Sequence, residues 1–141
     1  MNTTIVPVTA RAICPSLKYD DVPRAINFLC SAFGFEEYAA FAGSGRTAAH
    51  AQLQLGRNFV MIGATTIDKG PVSTAQALAG ALGGIYVVLE RDADIDAQFA
   101  RACAAGATIV CEPESPLQGG RNYTVSDCEG YVWSFTSHRA A

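Results

Sequence analysis

The sequence has no run of lysine or arginine, and charged residues make up only 16% of it. With a net charge of −3 and a pI near 5.2, it carries no electrostatic footprint for a phosphate backbone or an anionic bilayer, so neither nucleic acid nor a membrane is an expected partner. Long apolar runs are missing as well. None approaches the ~20 residues of a membrane-spanning helix, and the opening MNTTIVPVTARA has neither a basic leader nor a long apolar core. This pattern predicts no span and no signal peptide, hence a cytoplasmic location. There is no CxxC pair and no Cys/His cluster at zinc spacing. The five cysteines (14, 30, 103, 111 and 128) are odd in number, and are expected to be free, buried thiols in a reducing compartment. No two carboxylates read as a catalytic acid and base. Glu36 and Glu37, and Asp92, Asp94 and Asp96, fall at helix starts and turns, where capping explains them.

What is present is half apolar in a chain of 141 residues, enough to bury roughly two thirds of its unfolded surface as one unit. AICPSLKY (12–19) reads as a first strand. In DDVPRAINFLCSAFGF, Asp20 or Asp21 caps a helix with Pro23 in its first turn and Gly34 at its end. Ala25, Ile26, Leu29, Ala32 and Phe33 recur at the three- and four-residue steps of one buried stripe. EEYAAFAG, AAHAQLQLG and RNFVMIGA then read as strands joined by turns at 43–45 and at Gly56. The second half repeats the order: GGIYVVLERD as a strand, ADIDAQFARACAAG as a helix, ATIVCEP as a strand, and NYTVSDCEGYVWSFTS as a hairpin around Cys128 to Gly130. A shift of 72 positions puts Ile13 on Ile85, Leu17 on Leu89, Asp20 on Asp92, Ala25 on Ala97 and Gly34 on Gly106, and a shift of 74 puts Gly56 on Gly130. The matches fall at strand, helix start, helix cap and turn, which marks an internal duplication. Module one covers about 8–63, a linker 64–82 and module two about 83–138, within a single domain.

The paired βαβββ order, AHAQLQLGRNFVMIG in the first half, and the AAGA step, GGRNY and DCEGYVWSF in the second, together resemble the glyoxalase, bleomycin-resistance and extradiol dioxygenase (vicinal oxygen chelate) superfamily. Cys128 stands where that family commonly has proline. The resemblance covers nearly the whole chain. It implies an α+β fold of two tandem βαβββ modules whose curled mixed sheets surround a ligand cup, within one chain or across a homodimer. It also leaves function open, because the same cup hosts metal-dependent isomerases, lyases and dioxygenases alongside metal-free antibiotic-binding proteins.

Strand alternation sorts the side chains. Ala51, Leu53 and Leu55 face the helices and leave His50, Gln52 and Gln54 for the cup. Tyr131, Trp133 and Phe135 form the bulky core set and leave Val132, Ser134 and Thr136 opposite. Ile13 and Leu17 face the helix, with Cys14 and Ser16 on the cup side. Ile85, Val87 and Leu89 pack inward, with Tyr86 and Val88 lining the cup. The expected ligand set is therefore Ser16, His50, Gln52, Gln54, Tyr86, Val88, Arg121, Asn122, Thr124 and Ser134. For Arg121 the competing role is an ion pair with Asp127 or Glu129. The resemblance puts the metal-ligand positions of metal-dependent members at about Cys14, at His50, at 84–86 and at Ser134, of which only His50 is a good donor.

No cofactor is therefore expected. The first reading is a metal-free, bleomycin-resistance-like protein that sequesters an amphipathic or aromatic small molecule such as an antibiotic, as a homodimer. The alternative is a metal-dependent lyase, isomerase or dioxygenase that uses His50 and a divalent ion, with Glu90, Glu112 or His138 supplying donors in a shifted register. A third is a dimeric scaffold without a small-molecule ligand. Cys14 would be a nucleophile only if His50 lowered its pKa.

Overall fold

The computed structural model describes residues 8–41, 50–65 and 84–138. The first half forms β1 (Ser16–Tyr19), α1 (Val22–Phe28), β2 (Glu36–Phe41), β3 (His50–Leu55) and β4 (Asn58–Ala64). The second forms β5 (Ile85–Val88), α2 (Asp92–Ala104), β6 (Thr108–Glu114), β7 (Asn122–Ser126) and β8 (Val132–Thr136). Two four-stranded sheets result, in the orders β1-β4-β3-β2 and β5-β8-β7-β6. In each, the first strand pairs parallel with the last, and the other pairs are antiparallel. The helix between first and second strands is the crossover that a parallel neighbour requires. The duplication read from the sequence is thus two copies of one topology.

Local chemistry sets the element ends. Asp21 Oδ1 accepts the Arg24 N–H (3.1 Å) at the start of α1, and Pro23 occupies the first turn, where its missing N–H costs nothing. The helix runs on into a π-helical turn, Leu29–Phe33, and Gly34 ends it at φ 84°, a left-handed conformation glycine adopts freely. The described strand β1 begins at Ser16, not at residue 12. Pro15 has no N–H to place in the ladder, although its carbonyl still accepts from Met61 N (2.8 Å). Ile13, expected to face the helix, is consequently 94% exposed. The turn expected at 43–45 and all but the start of the expected linker lie outside the described residues.

The inward faces carry Leu17, Tyr19, Ala51, Leu53, Val60 and Ile62 in the first sheet and Tyr123, Val125, Trp133 and Phe135 in the second. They belong to one continuous core. Phe33, last residue of the π turn, packs at 5.2 Å from the Trp133 ring and 4.9 Å from Phe135, and Phe35 lies 5.7 Å from Trp133. Gln98 of α2, itself buried, donates to the Phe33 carbonyl (3.0 Å) and accepts from Tyr123 Oη (2.9 Å). Not every thiol joins this core: Cys103 on α2 and Cys111 on edge strand β6 are exposed, contrary to the expectation of buried cysteines.

A polar lock at the β7–β8 turn completes the joint. Buried Asp127 accepts through Oδ2 from Tyr19 Oη (2.5 Å) and Trp133 Nε1 (3.0 Å), and through Oδ1 from the Glu129 and Tyr131 N–H groups (3.0 and 3.1 Å). Glu129 accepts from the N–H groups of Asp20 (2.6 Å) and Asp21 (2.9 Å), just before α1. Tyr131 Oη donates to the Lys18 carbonyl (2.8 Å) and accepts from Lys18 N (3.2 Å). The side of β1 away from β4 is satisfied in this way by the second module.

Candidate functional site

The face of each sheet turned away from the core is open, and the strand register arranges its side chains in rows. On the first sheet Lys18, Gly63 and His50 stand side by side on β1, β4 and β3, and the next row is Ser16, Met61 and Gln52. The row after that holds Phe59, Gln54 and Glu36. Phe59 packs edge-on against Tyr38 (centroids 5.1 Å apart), and Gln54 Nε2 is tied to the Gly56 carbonyl (2.8 Å). In the first row the middle residue has no side chain. A Cβ at Gly63 would stand 2.7 Å from Lys18 Nζ and 3.5 Å from His50 Nδ1, so the ammonium and the imidazole both reach over the glycine.

The second sheet's open face is mostly neutral, with Glu114 on β6 at the end of one row. Tyr86, Ser134 and Thr124 form one row and Val88, Thr136 and Asn122 the next. The Thr124 and Ser134 hydroxyls share a hydrogen bond (3.1 Å). Thr136 lies on this side as alternation expects, yet it is buried, and its hydroxyl accepts from His138 N (3.0 Å). Tyr86 and Val88 are 65% and 48% exposed, large apolar groups held at a sheet edge by a strand that pairs on one side only.

Between the modules lies a cleft of about 1050 Å³. Phe33, Phe35 and Trp133 back it, β5 from Ile85 to Val88 makes one wall, and the β3–β4 hairpin from Leu55 to Val60 makes another. Arg57, Glu90, Asp94 and Arg101 supply the charges along it. Asp94 is already held by Arg91 (2.7 Å), whose guanidinium keeps its carboxyl below the usual range, and Arg101 Nη2 donates to the Cys30 carbonyl (3.2 Å). Phe59 borders both this cleft and the open face of the first sheet.

The residues expected from sequence therefore gather on two faces. Ser16, His50, Gln52 and Gln54 share the first; Tyr86, Val88, Asn122, Thr124 and Ser134 share the second. Arg121 is the exception, since its guanidinium grips Asp96 (2.8 and 2.9 Å) and Ser115 (3.1 Å). The expected alternative partners, Asp127 and Glu129, are turned toward the first module instead. Sequence reasoning missed Lys18, although the alternation that exposed Ser16 also exposes the residue two positions on. It missed the cleft altogether, because the hairpin tip and β5 meet only through the packing of one module on the other.

A divalent ion does not fit this donor set. His50 has the Lys18 ammonium for a neighbour, which repels a cation. Among the described residues no three His, Cys, Asp or Glu side chains cluster. Nor does Cys128 offer a nucleophile: burial, reinforced by Asp127 and Glu129, pushes its thiol up to about 12.

Sheet topology, helix placement and the duplicated order all agree with a pattern that the Glyoxalase/Bleomycin resistance protein/Dioxygenase superfamily defines over residues 13–135. The chain belongs to that superfamily. Its relatives include an uncharacterized protein of Mycobacterium tuberculosis, 34% identical over 125 residues that span 87% of this chain and 72% of the relative. Among solved structures, TioX from Micromonospora sp. ML1 is 33% identical, with a TM-score of 0.66 over 92% of this chain and 98% of TioX. A glyoxylase/bleomycin resistance protein/dioxygenase domain from Frankia sp. EAN1pec reaches a TM-score of 0.74 over 94% of this chain and all of that one, at 16% identity, a likeness of fold alone. Among the described residues no helix is long and apolar enough to cross a membrane.

Proposed function

We propose that this protein is a metal-free small-molecule-binding member of its superfamily, sequestering an amphipathic or aromatic ligand, such as an antibiotic, in the manner of bleomycin-resistance proteins. The observation that carries the reading is the cleft between the modules, about 1050 Å³ and backed by Phe33, Phe35 and Trp133, with exposed Tyr86 and Val88 on its β5 wall. Pockets of this size and mixture hold drug-sized molecules by apolar contact and orient them with a few polar groups. Along the cleft those groups are Arg57, Asn58, Glu90 and Gln98, while Ser16, His50, Gln52 and Gln54 on one open face and Asn122, Thr124 and Ser134 on the other stand outside it and would extend the site over the sheets. Homodimerisation would bring a second copy's open faces over these. The site is assigned to a cytoplasmic protein, with neither nucleic acid nor a membrane as a partner.

The test is elemental analysis of protein purified without chelator or affinity tag, alongside thermal unfolding with added Ni, Zn, Mn or Fe and with a panel of aromatic and peptide antibiotics. The expected result is no stoichiometric metal, no shift with the ions, and a rise in midpoint with an amphipathic compound that Tyr86→Ser or Val88→Ser diminishes. Stoichiometric metal, or an ion-induced rise lost in His50→Ala, would overturn the reading and favour a metal-dependent lyase or dioxygenase.

A further inference from the structure

The row of Lys18, Gly63 and His50 has a property that neither the fold nor the duplication requires. Gly63 is absent from the glycines with positive φ, so its strand conformation is open to any residue. What glycine provides here is room. A Cβ would stand 2.7 Å from Lys18 Nζ, the far end of a flexible side chain that can swing aside, and 3.4 Å from Lys18 Cδ, so alanine would move the ammonium from its place over the strand at little cost to the fold. The lysine stem and the imidazole cover the glycine, which is buried although it stands on an open face. Among the described residues Lys18 makes no ion pair; Glu36 stands two rows away on this face, and Asp20, two positions on from Lys18 at the end of β1, accepts from Thr65 Oγ1 (2.8 Å). Two rows correspond to roughly 13 Å along a strand. The face thus runs from the Lys18 ammonium with the His50 imidazole beside it, across Met61 (37% exposed), to an aromatic end, Phe59 and Tyr38, beside the cleft.

We infer that Lys18 and His50 over Gly63 form an anion cradle, and that the ligand is an aromatic or amphipathic anion whose carboxylate, or a group of like charge, sits in the cradle while its apolar body lies across Met61 toward Phe59. The inference rests on the binding-module reading for the ligand's body but not for the cradle itself. Lys18 gives a charge that a neutral ligand would leave unmatched, and His50 adds a ring N–H donor when that nitrogen is protonated. The inter-module bonds at Lys18 are made by its backbone, so its side chain is free to be changed without touching the lock.

The experiment compares 4-biphenylcarboxylate with its neutral counterpart, 4-biphenylcarboxamide, by calorimetric titration, and follows the His50 imidazole by NMR at fixed pH while either probe or inorganic phosphate is added. His138 is the other histidine and serves as the internal control. The expected result is about tenfold tighter binding of the carboxylate, a size typical of one charge-assisted contact, with a shift of the His50 signal by carboxylate and by phosphate. Lys18→Met should abolish the preference and the phosphate response while leaving the carboxamide bound as before. Gly63→Ala should weaken the carboxylate selectively. Equal binding of the two probes, or a preference that survives Lys18→Met, would overturn the cradle and leave the binding-module reading standing. A Lys18-dependent phosphate response without binding of either biphenyl would uphold the cradle and count against that reading.

Discussion

The β3–β4 turn and the β7–β8 turn hold the same place in the two repeats, Gly56 answering to Gly130, and both glycines take positive φ, 62° and 97°. Their surroundings differ. Around Gly56 nothing lies within 4 Å of the position a Cβ would take, and Arg57 and Asn58 are exposed at the edge of the cleft. The second turn instead carries Asp127 and Glu129, which reach into the first module and hold Tyr19 and the approach to α1. Duplication supplied one backbone shape twice. Side chains then made one copy the rim of the cleft and the other the joint between modules.

The strongest way to break that contrast is Asp127→Ala, which leaves the Tyr19 hydroxyl and the Trp133 indole N–H buried without their acceptor. A loss of about 3 kcal/mol is expected in urea unfolding. Alkaline pH attacks the same joint. Burial first, then the Asp127 charge, pushes the Tyr19 hydroxyl well above its ordinary value, and Cys128 is raised to about 12. Both groups favour the folded state while protonated. Their contribution is complete below the unfolded values near 9 and 10 and fades as pH rises above them. The thermal midpoint should accordingly fall between pH 9 and pH 11, and less steeply in Cys128→Ala; a midpoint flat over that interval would contradict the assignment. Glu129→Ala removes acceptors for two N–H groups near solvent, for a loss of about 1 kcal/mol. In the other turn, Gly56→Ala meets no atom and incurs only the left-handed backbone penalty, also about 1 kcal/mol. Smallest of all, Arg57→Ala should leave the urea midpoint unchanged, whereas a drop matching that of Glu129→Ala would mean that the first turn, too, is a joint.

The same contrast explains what was legible beforehand. Alternation in HAQLQL and VWSF assigned most inward and outward residues of β3 and β8, because a strand with one buried face must repeat with period two. It placed Thr136 on the correct side of β8 without foreseeing its burial, and it failed for Ile13, which precedes the strand that Pro15 delays. For Arg121 neither a place in the ligand set nor the competing ion pair with Asp127 or Glu129 holds, since its partner is Asp96, 25 positions away on α2. Lys18 was readable as an outward residue. Its company was not, since the neighbours that matter, Gly63 and His50, come from strands placed beside it only by the sheet order.

The sequence by itself determined the duplicated βαβββ order, the helix caps, the core faces and the superfamily, because these depend on periodicity, capping residues and glycine positions that act over a few residues at a time. Only the tertiary structure decided that DCEG is a joint, that Lys18 and His50 stand over a glycine gap on one open face, and that the cleft lies between the modules. Each of these depends on groups separated by tens to more than a hundred positions in the chain, as Tyr19 is from Asp127. Their distance is set by how one module's helix turn packs into the other's aromatic core, and local pattern carries no record of it.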